Sequence, residues 1–384
     1  MPKSVGHPTP FPAKKLCESM YTILPNSLLY DRTTDIQRAI NECAAEGGGT
    51  VHLPTGSYPV THLTLPGAVI LYGTNPYATT LLSLIADQDV LTVVGRGSRV
   101  CNIGFKSTLP RTAGRYLYLT PTSRATYVDN FLMEGAFIGV GINTGATCYL
   151  EHGEIINGSS LPSSAGIQVE QGYDLSISHV LMDNPADQQP AAGIHVVNSG
   201  DLRLFGCNII HCTNDLLING GFSIYATDCF FDTAATGILI DAQTPVERCH
   251  FHGCWTSSHT GHGMLIASNS PSSIDTIDFQ GHHSFFNGND GIHIGKGNNI
   301  KVQGSSCCNN LSGSGIGVGS LAQHVLLTGN RCGDTSSMDG NGYGIYLIEG
   351  CDHLILCDND LTGNQHAPLI KGVIPHLILA NNLI

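Results

Sequence analysis

The chain has 384 residues, of which 12% are charged and 41% hydrophobic, with 46 glycines and 14 cysteines. Hydrophobic content of that size supports a packed core and excludes a disordered chain, while low charge with abundant glycine favours short strands and tight turns. The net charge of −13 with no Lys/Arg-rich run argues against nucleic acid or an anionic membrane surface as a partner, and no apolar run of about 18 residues spans a bilayer.

Residues 1–30 are rich in proline and show no period, so an extended N-terminal arm is expected. The opening MPKSVGHPTPFPAKK lacks the apolar core of a secretory signal. The chain is therefore expected to stay in the cytosol, to leave by another route, or to be assembled onto a particle such as a virion. In that context most cysteines are expected to be reduced thiols packed inside. No CxxC pair has zinc spacing, so neither a metal nor another cofactor is expected.

The first regular element is a helix predicted over 34–46. Thr34 and Gln37 fit a capping box, Ile36, Ala39, Ile40, Cys43 and Ala44 form one apolar face, and Gly47, Gly48 and Gly49 end it. A strand, Thr50 to Leu53, and a turn at Pro54 to Gly56 follow. The segment from Asp35 to Val60, DIQRAINECAAEGGGTVHLPTGSYPV, resembles the start of the pectate-lyase-like (pectin-lyase fold) β-helix superfamily. The resemblance implies a helix that caps the open end of a right-handed parallel solenoid, with GGGTVHLPTGSY beginning the first coil. It implies little about chemistry, because hydrolases, lyases, epimerases and phage tailspikes share that fold.

A repeat supports the same architecture. Apolar-x-apolar strands begin at Ile138, Ile167, Ile194, Leu216, Ile238, Met264, Ile292, Ile316, Ile345 and Pro368, 22 to 29 residues apart. A second strand recurs as DLSIS, DLRLF, NIKVQ, HVLLT, HLILC and HLILA, the last three beginning at His324, His353 and His376. The expected fold is all-β, one parallel β-helix domain over 31–384 with the capping helix at its start, less regular between 49 and 137. Cys207, Cys229 and Cys249 follow second strands and are expected to stack inward as a ladder, one strand spacing of about 4.8 Å apart.

Side chains between the inward Ile, Leu and Val positions form outward rows. The first-strand rows carry Glu170, His195, Asn219, Asp241, His293 and Tyr346; the second carry Arg203, Tyr225, Glu247, Asp278 and Lys301. A solvated face accounts for any one of them. Glu247 and Asp278 are expected on neighbouring coils, near enough for the paired carboxylates of a glycoside hydrolase. The coil from 238 to 263 also holds His250, His252, Trp255, His259 and His262. The expected catalytic residues are Asp241, Glu247, Asp278 and His262. Trp255, Tyr225, His259, His293, Glu170 and His195 are expected to bind substrate. Gly261-His262-Gly263 is similar to the GHG motif of polygalacturonases, but their NTD segment and adjacent Asp pair are missing, so those roles are not carried over. No phosphate loop or nucleophile elbow is present.

The expectation is an enzyme that cleaves a polysaccharide, hydrolase or lyase, resembling tailspike depolymerases. A non-catalytic adhesive β-helix and an isomerase acting on sugars or another small molecule are the alternatives. Because HLILANNLI stays within the strand pattern, a homo-oligomer is expected, a trimer if the tailspike resemblance holds.

Overall fold

In the computed structural model, residues 19–25, 30–143, 147–334 and 340–384 are described; residues 1–18 and 26–29 of the expected arm lie outside them. Within that arm, Ser19–Thr22 form a strand parallel to Gly49–His52. The described chain is a β-solenoid of about 13 turns with one helix.

Each full coil has three strands where the sequence suggests two. The first sheet includes Ala192–Val197, Asn214–Ile218, Thr236–Ile240 and Met264–Ile266. The second includes Gly221–Thr227, Val246–His252 and Ile274–Gln280. The third is built of three-residue strands such as Phe230–Asp232, Trp255–Ser257 and His283–Phe285, too short to show a period-two pattern. Neighbouring coils pair in parallel on all three sheets, including the coils before residue 137. Inside, Ile194, Leu216, Ile238, Met264 and Ile292 stack coil on coil at 0–1% exposure, each burial contributing about 2 kcal/mol.

The corners explain much of the polar composition. Entering the second sheet, Asp174, Asp201, Ser223, Arg248, Thr276, Asn299, His324 and His353 all have φ between 50 and 55°. Entering the third, Asn102, Asn130, His152, His179, Gly206, Asp228, Gly253 and Gly281 do the same job. A left-handed residue at each corner turns the chain within a single residue, and short polar side chains and glycine tolerate it best.

The helix, α1, spans Thr33–Ala45 and buries Ile36, Ala39, Ile40 and Cys43 over the end of the core. The expected capping box does not form. Arg32 is the N-cap without a side-chain bond, and the Thr33 N–H donates to Asp31 Oδ1 at 2.8 Å. Gln37 instead locks the helix to the solenoid, donating to Thr64 O at 2.9 Å and accepting from Thr64 N–H at 2.8 Å. No described helix is long and apolar enough to cross a membrane.

Two polar ladders run inside the solenoid. One occupies the position just before the third sheet: Cys207, Cys229, Cys254, His282, Ser305, Asn330 and Asn359. Cys249 is not a rung. It lies within the second strand, opposite Ile277, and Cys254 takes the expected place because it is the residue that follows that strand. The other ladder includes His259, Asn287, Asn310 and Asn341. Each accepts a backbone N–H from the coil before, as when Asn287 N–H donates to Asn310 Oδ1 at 3.3 Å and Asn310 N–H to Asn341 Oδ1 at 2.9 Å. Cys207, Cys212, Cys229, Cys249 and Cys254 are buried free thiols.

Candidate active site

The outward row of the first sheet runs His195, Leu217, Leu239, Leu265, His293, Gly317 and Tyr346, one per coil. The three leucines are half-buried and make an apolar floor. At its end His293 lies beside Asp290, three residues earlier in the same coil, with His262 one coil back.

Asp290 is held from both sides. Its Oδ1 accepts Ser314 N–H and Ser314 Oγ–H, each at 2.6 Å. Its Oδ2 is 2.6 Å from His293 Nδ1 and 3.8 Å from His262 Nδ1. Burial raises the Asp290 carboxyl, but hydrogen bonds from His293 and Ser314 outweigh it and hold the group below the ordinary carboxylate range. An ionised carboxylate only accepts, so His293 Nδ1 carries the hydrogen of the short bond and Nε2 is the basic nitrogen. Burial, helped by His293 and opposed by Asp290, lowers His262 below the usual histidine range. Its Nδ1 is buried without a hydrogen-bond partner. The ligand atoms of His262, Asp290 and His293 lie within 4.8 Å of one another. On the far side of Gly317, Tyr346 is 37% exposed and its ring is 5.7 Å from that of Tyr343.

Along the other margin of the leucine floor runs a polar line. His195 Nε2 meets Asn219 Oδ1 at 2.6 Å, Asn219 Nδ2 donates to Asp241 O at 2.8 Å, and Asp241 Oδ1 accepts from Ser270 Oγ at 3.2 Å. Lys296 Nζ donates to Ser270 O at 2.7 Å. Glu170 is exposed, opposite Val197. His262, His293, His195, Asp241 and Glu170 therefore share one face.

The remaining expected residues lie elsewhere. Asp278 is on the second sheet between His250 and Lys301, beside a cleft of about 200 Å³ where the Tyr225 and His250 rings stack at 5.0 Å. Glu247 does not meet it. Glu247 stands one residue before the left-handed corner at Arg248, opposite Phe222 and Asp275, whereas Asp278 stands two residues after the equivalent corner at Thr276. Glu247 binds Arg248 Nη1 at 3.1 Å. Trp255 is on a third-sheet strand, with Phe230 and His283 each at 6.0 Å. His259 is 2% exposed and cannot touch a substrate; its Nδ1 accepts Ala234 N–H at 3.0 Å as a ladder rung. Asp290, Ser314 and Gly317 were not expected. Their signal is an Asp three residues before an outward His and a glycine one coil later.

The family described as "Right handed beta helix region" matches residues 116–279. The chain has the right-handed parallel β-helix fold. No curated protein sequence matches this β-helix. Among solved structures, it is similar to the A-module of mannuronan C-5 epimerase AlgE6 from Azotobacter vinelandii, with TM-score 0.64, 13% identity, and coverage of 92% of this chain and 95% of that one. The Dettilon tailspike protein gives 0.61 and 11%, over 92% and 68%. PfbA, a surface adhesin of Streptococcus pneumoniae, gives 0.58 and 11%, over 93% and 90%. An epimerase, a tailspike and an adhesin at such identities establish the β-helix fold and nothing finer.

Proposed function

We propose that this β-helix is a carbohydrate-active enzyme that cleaves a polysaccharide laid across the first sheet, with His293 moving the proton and Asp290 positioning it. The carrying observation is the 2.6 Å bond between His293 Nδ1 and Asp290 Oδ2. It fixes the tautomer, supports the imidazolium once formed, and leaves Nε2 to take a proton. Such a base suits removal of a carbon-bound proton, the lyase step, better than hydrolysis, which uses two carboxylates flanking the bond. Asp241, Glu247 and Asp278 stand apart and do not supply that pair. The leucine floor and the polar line of Asn219, Asp241 and Ser270 give a sugar chain apolar and hydrogen-bonding contacts over several coils. Similar structures named as a mannuronan C-5 epimerase, an alginate epimerase and an α-1,3-glucanase support a polysaccharide substrate.

The same dyad favours a second reading, an isomerase in which His293 removes the carbon-bound proton and a second donor, a side chain or water, delivers one to the opposite face without cutting the chain. A panel of polysaccharides separates the two. Cleavage by elimination gives reducing ends together with unsaturated-uronate absorbance, and His293→Asn should lower kcat at least about 10²-fold with little change in Tm. Altered sugar stereochemistry without new ends moves the assignment to the isomerase. Reducing ends without unsaturation make it a hydrolase, and no product from any polymer removes the reading. We include a homo-oligomer in this proposal, motivated by Phe205 and Phe230, exposed at 45% and 50% on the outside of the solenoid. Light scattering that gives a monomer at micromolar concentration overturns it.

A further inference from the structure

His324, His353 and His376 occupy equivalent positions in the last three coils, each just before the paired second-sheet residues Val325, Leu354 and Leu377, and the proposed site on the first sheet uses none of them. Their corner needs a left-handed backbone, with φ 51° at His324 and 54° at His353. Earlier coils meet the same need with Asp, Ser, Arg, Thr and Asn, so the corner does not by itself require histidine. Recurring in successive coils, the three imidazoles stack, with ring centroids 4.6 Å apart from His324 to His353 and 4.3 Å from His353 to His376.

Asp352 completes the arrangement. Its Oδ1 accepts the backbone N–H groups of His353 at 2.8 Å and His376 at 3.2 Å, which fixes the carboxylate. Its two oxygens then face two imidazoles: Oδ1 is 2.9 Å from His376 Nδ1, and Oδ2 is 3.0 Å from His353 Nδ1. The ligand atoms of all three residues lie within 4.8 Å of one another. The side chains of His353 and His376 are 46% and 64% exposed, on the wall of a groove of about 480 Å³.

We propose that His353, His376 and Asp352 form a binding site for a divalent transition-metal cation of the Zn²⁺ class, with His324 as the adjoining rung. Two imidazole nitrogens and a carboxylate oxygen are a donor set that such cations prefer, and three protein ligands leave a coordination position for water. Zinc bonds of about 2.0–2.1 Å separate tetrahedral ligand atoms by about 3.3 Å, and one ligand atom from each of the three residues already lies within 4.8 Å of the others, so side-chain rotation brings them to that spacing. Asp352 is oriented in advance by the two backbone N–H groups, as ligating carboxylates commonly are. The ion takes the place of the hydrogen now shared between His376 Nδ1 and Asp352, and ties two coils together. No metal was expected from the sequence, because ligand spacing there was sought along the chain. In a solenoid it is set by coil length, here 29 residues from His324 to His353 and 23 from His353 to His376.

The test is calorimetric titration of Zn²⁺ into the full chain and into the His353→Asn/His376→Asn variant. Asparagine suits His353 because it accepts the left-handed corner there. The expected result is one zinc per chain, bound at least about 10-fold more weakly by the variant. A zinc-dependent rise in Tm should be present in the wild type and absent in the variant, since a ligand that binds only the folded chain stabilises it. Asp352→Asn should weaken binding similarly and serves if the double variant fails to fold. Absence of binding by the wild type overturns the proposal. So does wild-type affinity in the folded variant, or a loss of binding in His262→Asn that these variants do not show.

Discussion

Gly317 decides whether the Asp290–His293 pair can close. A Cβ at this position would lie 2.5 Å from Asp290 Oδ2 and 2.9 Å from His293 Nδ1, so alanine forces the two apart. Gly317→Ala is expected to reduce kcat about 10²-fold while Tm changes little, since misplacement by about 1 Å costs that much. Steady-state kinetics beside a thermal melt checks this, and an unimpaired enzyme would remove the dyad from the mechanism. Glu247→Gln is expected to keep near-wild-type kcat/KM, because Glu247 binds Arg248 and faces Phe222 and Asp275, away from the leucine floor; a drop beyond about tenfold would return it to the site. His293 was legible in the sequence as an outward residue of a repeating unit, and His262 as a histidine of the coil from 238 to 263. Asp290 and Gly317 were not, because their value depends on where one coil enters its strand and on what the next coil puts opposite. The same dependence misplaced Glu247. Two strands were aligned by counting apolar positions, and the left-handed corner inside each strand shifted the count.

At the scale of the element, the inner ladders carry the energetics. Asn310 accepts Asn287 N–H at 3.3 Å and Asn287 Nδ2–H at 2.8 Å, and donates to Asn341 Oδ1 at 3.0 Å and Ser284 O at 3.3 Å. Leucine there strands buried donors and acceptors, so Asn310→Leu is expected to destabilise the fold by about 3–5 kcal/mol in urea unfolding. The histidine rungs add a pH dependence. Burial lowers His259 to about 4 and His282 to about 3, the latter helped by His283 and His259. Both bind protons more readily in the unfolded chain, near the ordinary histidine value of 6.5. Their contribution is therefore whole above that pH and is lost as pH falls toward about 4 for His259 and about 3 for His282. Tm should fall from about pH 7 to about pH 5, and less steeply in His282→Asn, which installs the side chain used by later rungs. An identical slope in that variant would rule out His282 as the source. The sequence shows these asparagines but not their jobs: Asn309 turns a corner at φ 55°, while its neighbour Asn310 is a buried rung.

For the whole molecule, the legible part was the architecture. Regular starts from Ile138 onward and the Asp35–Val60 segment sufficed for a capped solenoid, because coil stacking repeats one local rule many times. The third sheet was hidden by three-residue strands. The same stacking explains the cysteines, most of which fill small inward positions. Denatured, unreduced protein should titrate most of its 14 thiols, and the native protein far fewer, since among described cysteines only Cys101 and Cys357 are half-buried and the others are buried. Recovery of only a few thiols after denaturation would mean that disulfides hold the coils. The coils also differ in length while their strands keep register, and this has a mechanical corollary. Each coil is attached only to the one before and the one after, so tension between the ends peels coils off singly instead of shearing the molecule at once. Units of 22 to 29 residues, at about 3.5 Å per extended residue, would pay out roughly 80–100 Å per event, giving a force trace of unequal teeth whose spacing reads the coil lengths in order.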